Sequence, residues 1–213
     1  MLTVHHLGVS QSERIVWLCE ELEIPYQLKV YDRDPETRLA PTAYKALHPM
    51  GTAPVITDGD LVLGESAAIM DYIIFKHGGG RLALGPGDKD FANFLFWYHF
   101  ANGSVMPAGM IAMIIGMLGL GDDHPIVQAL SGRGVRAFDM IESRLGAAPY
   151  FAGDVFTAAD IIMVFSLTTM RAFAPMDLAP FPNIRAYLQR IGARPAYQRA
   201  MAKGDPGMTP MLT

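Results

Sequence analysis

Apolar and polar positions alternate briefly along Leu2-Thr3-Val4-His5-His6-Leu7 and stop at Gly8, which predicts a short strand. Apolar residues return at Ile15, Val16, Leu18, Cys19 and Leu22, a helical spacing over 12–23 that Pro25 closes. Tyr26 to Tyr31 reads as a second strand. A polar, proline-marked loop (33–41) precedes a short helix over 42–47. Val55-Ile56 and Leu61-Val62-Leu63, joined by an Asp-Gly turn, form a hairpin, and 66–77 a helix with Ile69, Tyr72 and Ile73 inward. The order is β-α-β-α-β-β-α. Its strand–helix–strand start implies a parallel pair with a right-handed crossover, and the hairpin makes the sheet mixed.

Past Gly78-Gly79-Gly80 and Gly85-Pro86-Gly87 the strand pattern disappears. Domains are expected at 1–78 and 88–213, with 79–87 as linker. The second is read as all-helical: 88–118 with a kink near Pro107, then 125–145, 157–173, 182–191 and 195–203. Thr157 and Asp160 form a capping-box pattern, a structural feature, with Phe156 and Ile161 placed as its staple. The Pro/Gly-rich tail (204–213) is expected to be loose.

Composition narrows the function. At 51% apolar and 18% charged, the chain can build a core and is not disordered. A net charge of −4 gives no reason to expect nucleic acid or an acidic membrane as partner. The single cysteine, Cys19, excludes an internal disulfide and reads as a buried core thiol. With no leader pattern at the N-terminus, the cytoplasm is the expected compartment. Phe91 to Gly121 lacks Asp, Glu, Lys and Arg, but glycine and proline interrupt it. Buried central helices are expected there rather than a membrane span. His5 and His6 point to opposite faces of a strand, poor geometry for a metal, and no metal site is expected.

Candidate chemistry centres on Met50-Gly51-Thr52-Ala53-Pro54. A proline opening a strand has no donor and leaves Thr52 and Ala53 able to pair with an outside peptide. Glu65 and Ser66 sit at a helix start, where amide donors and a positive dipole end favour an anion. Together they suit a small peptide carrying a carboxylate.

Pro54 before a strand, Glu65-Ser66 at the next helix start, and Thr157-x-x-Asp160 in a helical second half resemble the cytosolic glutathione transferases. The likeness covers nearly the whole chain. The start, His5-His6-Leu7-Gly8-Val9-Ser10-Gln11-Ser12-Glu13-Arg14, is most similar to the bacterial and fungal, yeast Gtt-like group. The resemblance implies a thioredoxin-like first domain, a helical domain lining the second-substrate pocket, a homodimer, and a cis Ala53–Pro54 bond. It also implies glutathione as co-substrate, transferred to small apolar electrophiles in detoxification or used to reduce a peroxide. Sibling readings are a glutathione-dependent isomerase, dehalogenase or ether-cleaving enzyme. A non-catalytic interaction module is the alternative from another class.

By that resemblance Ser10 holds the thiolate, in the place of the serine-type hydroxyl. Its competing role is structural, because Ser10-Gln11-Ser12-Glu13 is a capping-box pattern and Ser12 a second cap. Ser66 would receive the γ-glutamyl carboxylate, Glu65 the ammonium group, and the Ala53 backbone the cysteinyl residue. Thr52 departs from the Lys or Gln of many relatives, leaving Lys45, His48 or Arg38 for the glycine carboxylate. Gln11 is a weaker glutathione candidate. Met106, Met110, Met113 and Met117 share one helix face, read as core or subunit interface before pocket wall. Tyr98, Asn102 and Met106 are the expected second-substrate residues.

Overall fold

Alternation over the first residues produces β1 (Leu2–Leu7), and the amphipathic run after it α1 (Glu13–Leu22). β2 (Gln27–Tyr31) pairs with β1 in parallel, with Thr3 opposite Gln27 and Leu7 opposite Tyr31. After α2 (Thr42–Lys45), β3 (Val55–Asp58) pairs antiparallel with β1 and with β4 (Leu61–Gly64), and α3 (Ser66–Lys76) follows. The sheet order is β2-β1-β3-β4. Ile69, Met70, Ile73 and Ile74 of α3 are buried, whereas Tyr72, expected inward, sits at the edge and donates its hydroxyl to Asp58 (3.0 Å).

The computed structural model describes residues 1–121 and 123–213. Two compact units emerge: Met1–Ala83 with Gly192–Pro210, and Leu84–Ile191 with Met211–Thr213. The first therefore includes α9 (Pro195–Gly204), which docks on α1. Glu20 pairs with Arg199 and Lys203, Glu21 takes a two-pronged bond from Arg194 (2.7 and 2.8 Å), and Trp17 meets Tyr197 edge-on. The Glu20 and Glu21 side chains are nearly buried, so these pairs escape much of the screening that makes surface ion pairs weak.

The second unit contains α4 (Phe91–Phe100), a π-helical turn (Ala101–Val105), α5 (Met106–Leu118), α6 (Pro125–Ala147), α7 (Ala158–Leu167), a 3-10 turn (Thr169–Ala172) and α8 (Pro182–Gly192). Where a kink near Pro107 is expected, the helix changes to a π turn just before Pro107, which occupies the first turn of α5. Proline withholds the donor its i−4 carbonyl would need, and the π turn absorbs the mismatch. The capping box at α7 forms, with Asp160 accepting the Thr157 N–H at 2.9 Å.

Two expectations fail. Phe91–Leu118 is long and apolar enough to cross a membrane, yet it is not a buried central segment. Met110, Ile114, Met117 and Leu118 are exposed, and of the methionine face Met106 alone is fully buried. The tail is also tied down. Arg171 donates to the carbonyls of Met211 and Thr213, Gln189 to that of Leu212, and Asp205 is buried.

Candidate functional site

The Ala53–Pro54 bond is cis, and β3 begins one residue later. Val55 pairs with His5 and Gly64, so Thr52 and Ala53 lie outside the ladder. β4 leads into α3 through Glu65, which adopts φ 71°, ψ 121°. Such a conformation at a non-glycine residue stores about 1–3 kcal/mol, and surrounding structure must hold it. It leaves Glu65 exposed and turns Ser66, 3% exposed, into the first residue of α3.

Arg14 is the residue sequence reasoning missed. It is 1% exposed, and its Nη1 donates to Gln11 Oε1 (2.6 Å) and Ser66 Oγ (3.4 Å). One guanidinium thus joins the β1–α1 loop to the start of α3. Because Ser66 Oγ accepts from Arg14, its own O–H can still be given to an outside acceptor. The positive charge also reinforces the helix dipole. The available signal was a cation one helical turn before Leu18, inside the apolar stripe of α1.

The loop carrying Ser10 bends at Val9, whose φ of 50° is unusual for a β-branched residue. Val9 donates its N–H to Asp205 Oδ1 (2.8 Å), and its carbonyl accepts from Arg33 (2.9 Å). Ser10 Oγ donates to the Leu7 carbonyl (2.7 Å), accepts the Ser12 N–H (3.2 Å) and lies 2.7 Å from Ser12 Oγ. The Ser10–Glu13 capping box does not form. Ser12 takes the N-cap position, but its hydroxyl turns back to β1, accepting the Leu7 N–H (3.0 Å) and meeting His6 Nδ1 (2.9 Å).

His48 and Lys45 approach the bend that carries exposed Thr52. The His48 ring lies 3.3–3.4 Å from where a Cβ on Gly64 would stand, and the Lys45 stem 3.6 Å from the same point on Gly51. His48 Nδ1 accepts the Met50 N–H (3.3 Å), which leaves Nε2 as the donor of the neutral ring. Arg38 is placed elsewhere, in a cleft of about 490 Å³ with Gly8, Val9, Asp32, Arg33 and Asp205. Cys19 is fully buried, and burial followed by the Glu20 charge pushes its thiol far up, so it is an inert core group.

In the helical unit Tyr98 is buried and stacked on Phe94, Asn102 sits in the π turn, and Met106 packs with Phe165 and Met170. The same unit holds an apolar cavity of about 220 Å³, lined by Val105, Gly109, Leu130, Phe138 and Met170. Ser166 also lines it, its buried Oγ without a hydrogen-bond partner among the described residues. No group of three His, Cys, Asp or Glu side chains fit to hold a metal occurs among the described residues.

A mixed sheet of this order with a cis-proline opening β3 is a thioredoxin-like α/β unit, here followed by helices. Residues 10–74 match the glutathione S-transferase N-terminal domain and residues 105–195 the glutathione S-transferase C-terminal domain. Glutathione S-transferase 3 of Schizosaccharomyces pombe is 32% identical over 219 residues, spanning 95% of this chain and 88% of that protein. Glutathione S-transferase 1 of Saccharomyces cerevisiae is 29% identical, spanning 95% of each. A glutathione S-transferase structure from Actinobacillus pleuropneumoniae superposes with a TM-score of 0.86 at 33% identity, over 96% of this chain and 93% of that one. The chain belongs to the glutathione S-transferase family, whose enzymes use glutathione as co-substrate.

Proposed function

We propose that the chain activates the thiol of glutathione beside Ser10 and transfers it to small apolar electrophiles. Arg14 carries this reading, because it binds the Ser10 loop to Ser66 behind the strained Glu65. The γ-glutamyl carboxylate meets the Ser66 hydroxyl and amide, with Glu65 near the ammonium group and Gln11 alongside. The cysteinyl residue pairs with the Ala53 backbone beside Pro54. Thr52 is too short to hold the glycine carboxylate alone, and His48, whose Nε2 is a donor, completes that contact, ahead of Lys45 and Arg38.

A free thiol titrates at about 8.5, and amide or hydroxyl donors at a helix start can lower it by a unit or more. With Ser10 turning its O–H from the Leu7 carbonyl to the sulfur, the thiolate is kept at neutral pH. It attacks the electrophilic carbon, an S–C bond forms, and the leaving group departs with its electron pair. Tyr98, Asn102 and Met106 belong to the second-substrate wall, where flexible thioether suits varied apolar groups. The protein acts as a cytoplasmic homodimer, a reading supported by the exposed apolar side chains of α5 and α6.

Calorimetric titration with glutathione tests the assignment. Ser66→Ala weakens binding by about 1.5–3 kcal/mol, the worth of a hydrogen bond to a charged group, while turnover at saturation is retained. Unchanged affinity removes Ser66 from the site, and no binding at millimolar glutathione overturns the function.

A further inference from the structure

Buried side chains continue inward from Ser10 in an unbroken line. Ser10 Oγ is 2.7 Å from Ser12 Oγ, Ser12 Oγ 2.9 Å from His6 Nδ1, and His6 Nε2 3.1 Å from Asp205 Oδ2. His6 and Ser12 have no exposed surface, and Ser10 and Asp205 less than a tenth. Burial pushes the Asp205 carboxyl up. The hydrogen bond from His6 first, then the Val9 N–H and the Arg33 charge, favour the ionised form, and the group stays below the ordinary carboxylate value.

An ionised Asp205 can only accept, so His6 Nε2 carries a hydrogen. Nδ1 of the neutral ring then accepts the Ser12 O–H. Ser12 Oγ receives the Leu7 N–H and, 2.7 Å from Ser10 Oγ, can receive the Ser10 O–H once that hydrogen turns away from the Leu7 carbonyl, its partner at rest. The line therefore runs Ser10 to Ser12 to His6. Asp205 serves it twice, since its second oxygen anchors the left-handed Val9 that places Ser10. Gly204 lets the ring lie against the backbone, because a Cβ there would stand 3.1 Å from His6 Nε2.

We propose that this line takes up the thiol proton of glutathione, with Ser12 as relay and His6 Nδ1, backed by Asp205, as the final acceptor. This rests on Ser10 being the partner of the sulfur. The S–H bond breaks as its proton passes to Ser10 Oγ, the Ser10 hydrogen moves to Ser12 Oγ, and the Ser12 hydrogen to His6 Nδ1. A thiolate and an imidazolium result, with no other reactant. Each hydrogen bond of the line reverses, and the Ser10 O–H, having given up the Leu7 carbonyl, ends up directed at the sulfur. The Leu7 and Ser12 amides hold both oxygens in either state.

The imidazolium is paired rather than isolated, which makes a buried charge tolerable. The further charge acting on Asp205 is that of Arg33, and the flanking helices carry Glu13 and Arg14 in the first turn of α1 and Lys203 in the last turn of α9. On β2 the residue in register with His6 is the uncharged Val30. His6, Ser12 and Asp205 act only through Ser10 and are positioning residues.

Counting protons tests the relay in the full chain. Titration with glutathione in buffers of different ionisation enthalpy gives protons released, and ultraviolet absorbance gives thiolate formed, with S-methylglutathione as blank. Wild type forms thiolate without matching proton release, because His6 keeps the proton. In Ser12→Ala and His6→Gln, thiolate falls tenfold or more, or appears with about one proton released for each; Ser12→Thr restores the wild-type count. Wild type releasing about one proton per thiolate overturns the relay and leaves Ser10 as thiolate donor intact. Absence of thiolate on bound glutathione in wild type overturns the Ser10 reading and the relay with it.

Discussion

Val9 and Glu65 hold left-handed φ values of 50° and 71° on the two segments that Arg14 joins. Glu65→Gly relieves about 1–3 kcal/mol of strain, against about 0.5–1 kcal/mol of added chain entropy. The melting temperature is therefore expected not to fall while glutathione affinity drops; a clear loss of Tm at normal affinity contradicts a strained functional position. Asp205 gives a pH test. Its folded-state pKa is depressed, so its stabilisation is fully present above the ordinary carboxylate value of 3.8 and is lost as pH falls through the lower folded value. Asp205→Asn should lower stability at neutral pH and flatten its decline in acid; an unchanged acid limb rejects the pairing. Of the proposed site, Ser10, Glu65 and Ser66 are legible as candidates because each sits at an element boundary with its own local signature. Arg14 and His6 are not: one looks like part of an amphipathic stripe and the other like a strand residue. Their partners lie 52 and 199 positions away.

Helices obey their local signals closely. α6 and α9 begin at prolines, and α7 begins at its capping box. Thr157→Ala is expected to lower unfolding stability by about 1 kcal/mol in denaturant titration. Asp160→Asn has a larger effect, about 1–3 kcal/mol, because the carboxylate also accepts from the Phe151 amide and the Tyr187 hydroxyl and an amide cannot match every donor. A smaller effect for Asp160 than for Thr157 contradicts that network. The elements misjudged from sequence are those decided by tertiary partners. The irregularity near Pro107 takes the form of a π turn that the sequence does not specify, and the tail is fixed by Arg171, whose reach no local pattern announces.

Across the whole molecule, the division into a sheet-bearing unit and a helical unit follows hydrophobic period, because strand alternation occurs only before the glycines near residue 80 and helical spacing alone follows them. Membership of α9 in the first unit does not, because its contacts with Glu20, Glu21 and Trp17 join distant segments. The exposed apolar side chains of α5 are legible only as apolar. In the homodimer reading Ile114→Glu, at a side chain half exposed on α5, gives a stable monomer by sedimentation, and a dimer that persists moves the interface elsewhere.

In the proposed function Arg14 and Ser66 hold glutathione where Ser10 keeps it a thiolate. Ultraviolet difference absorbance of bound glutathione at neutral pH, in wild type and Ser10→Ala at matched saturation, reads this directly. Thiolate in wild type and its loss in Ser10→Ala, at nearly unchanged affinity, is the expected result. Equal thiolate in both proteins would contradict it.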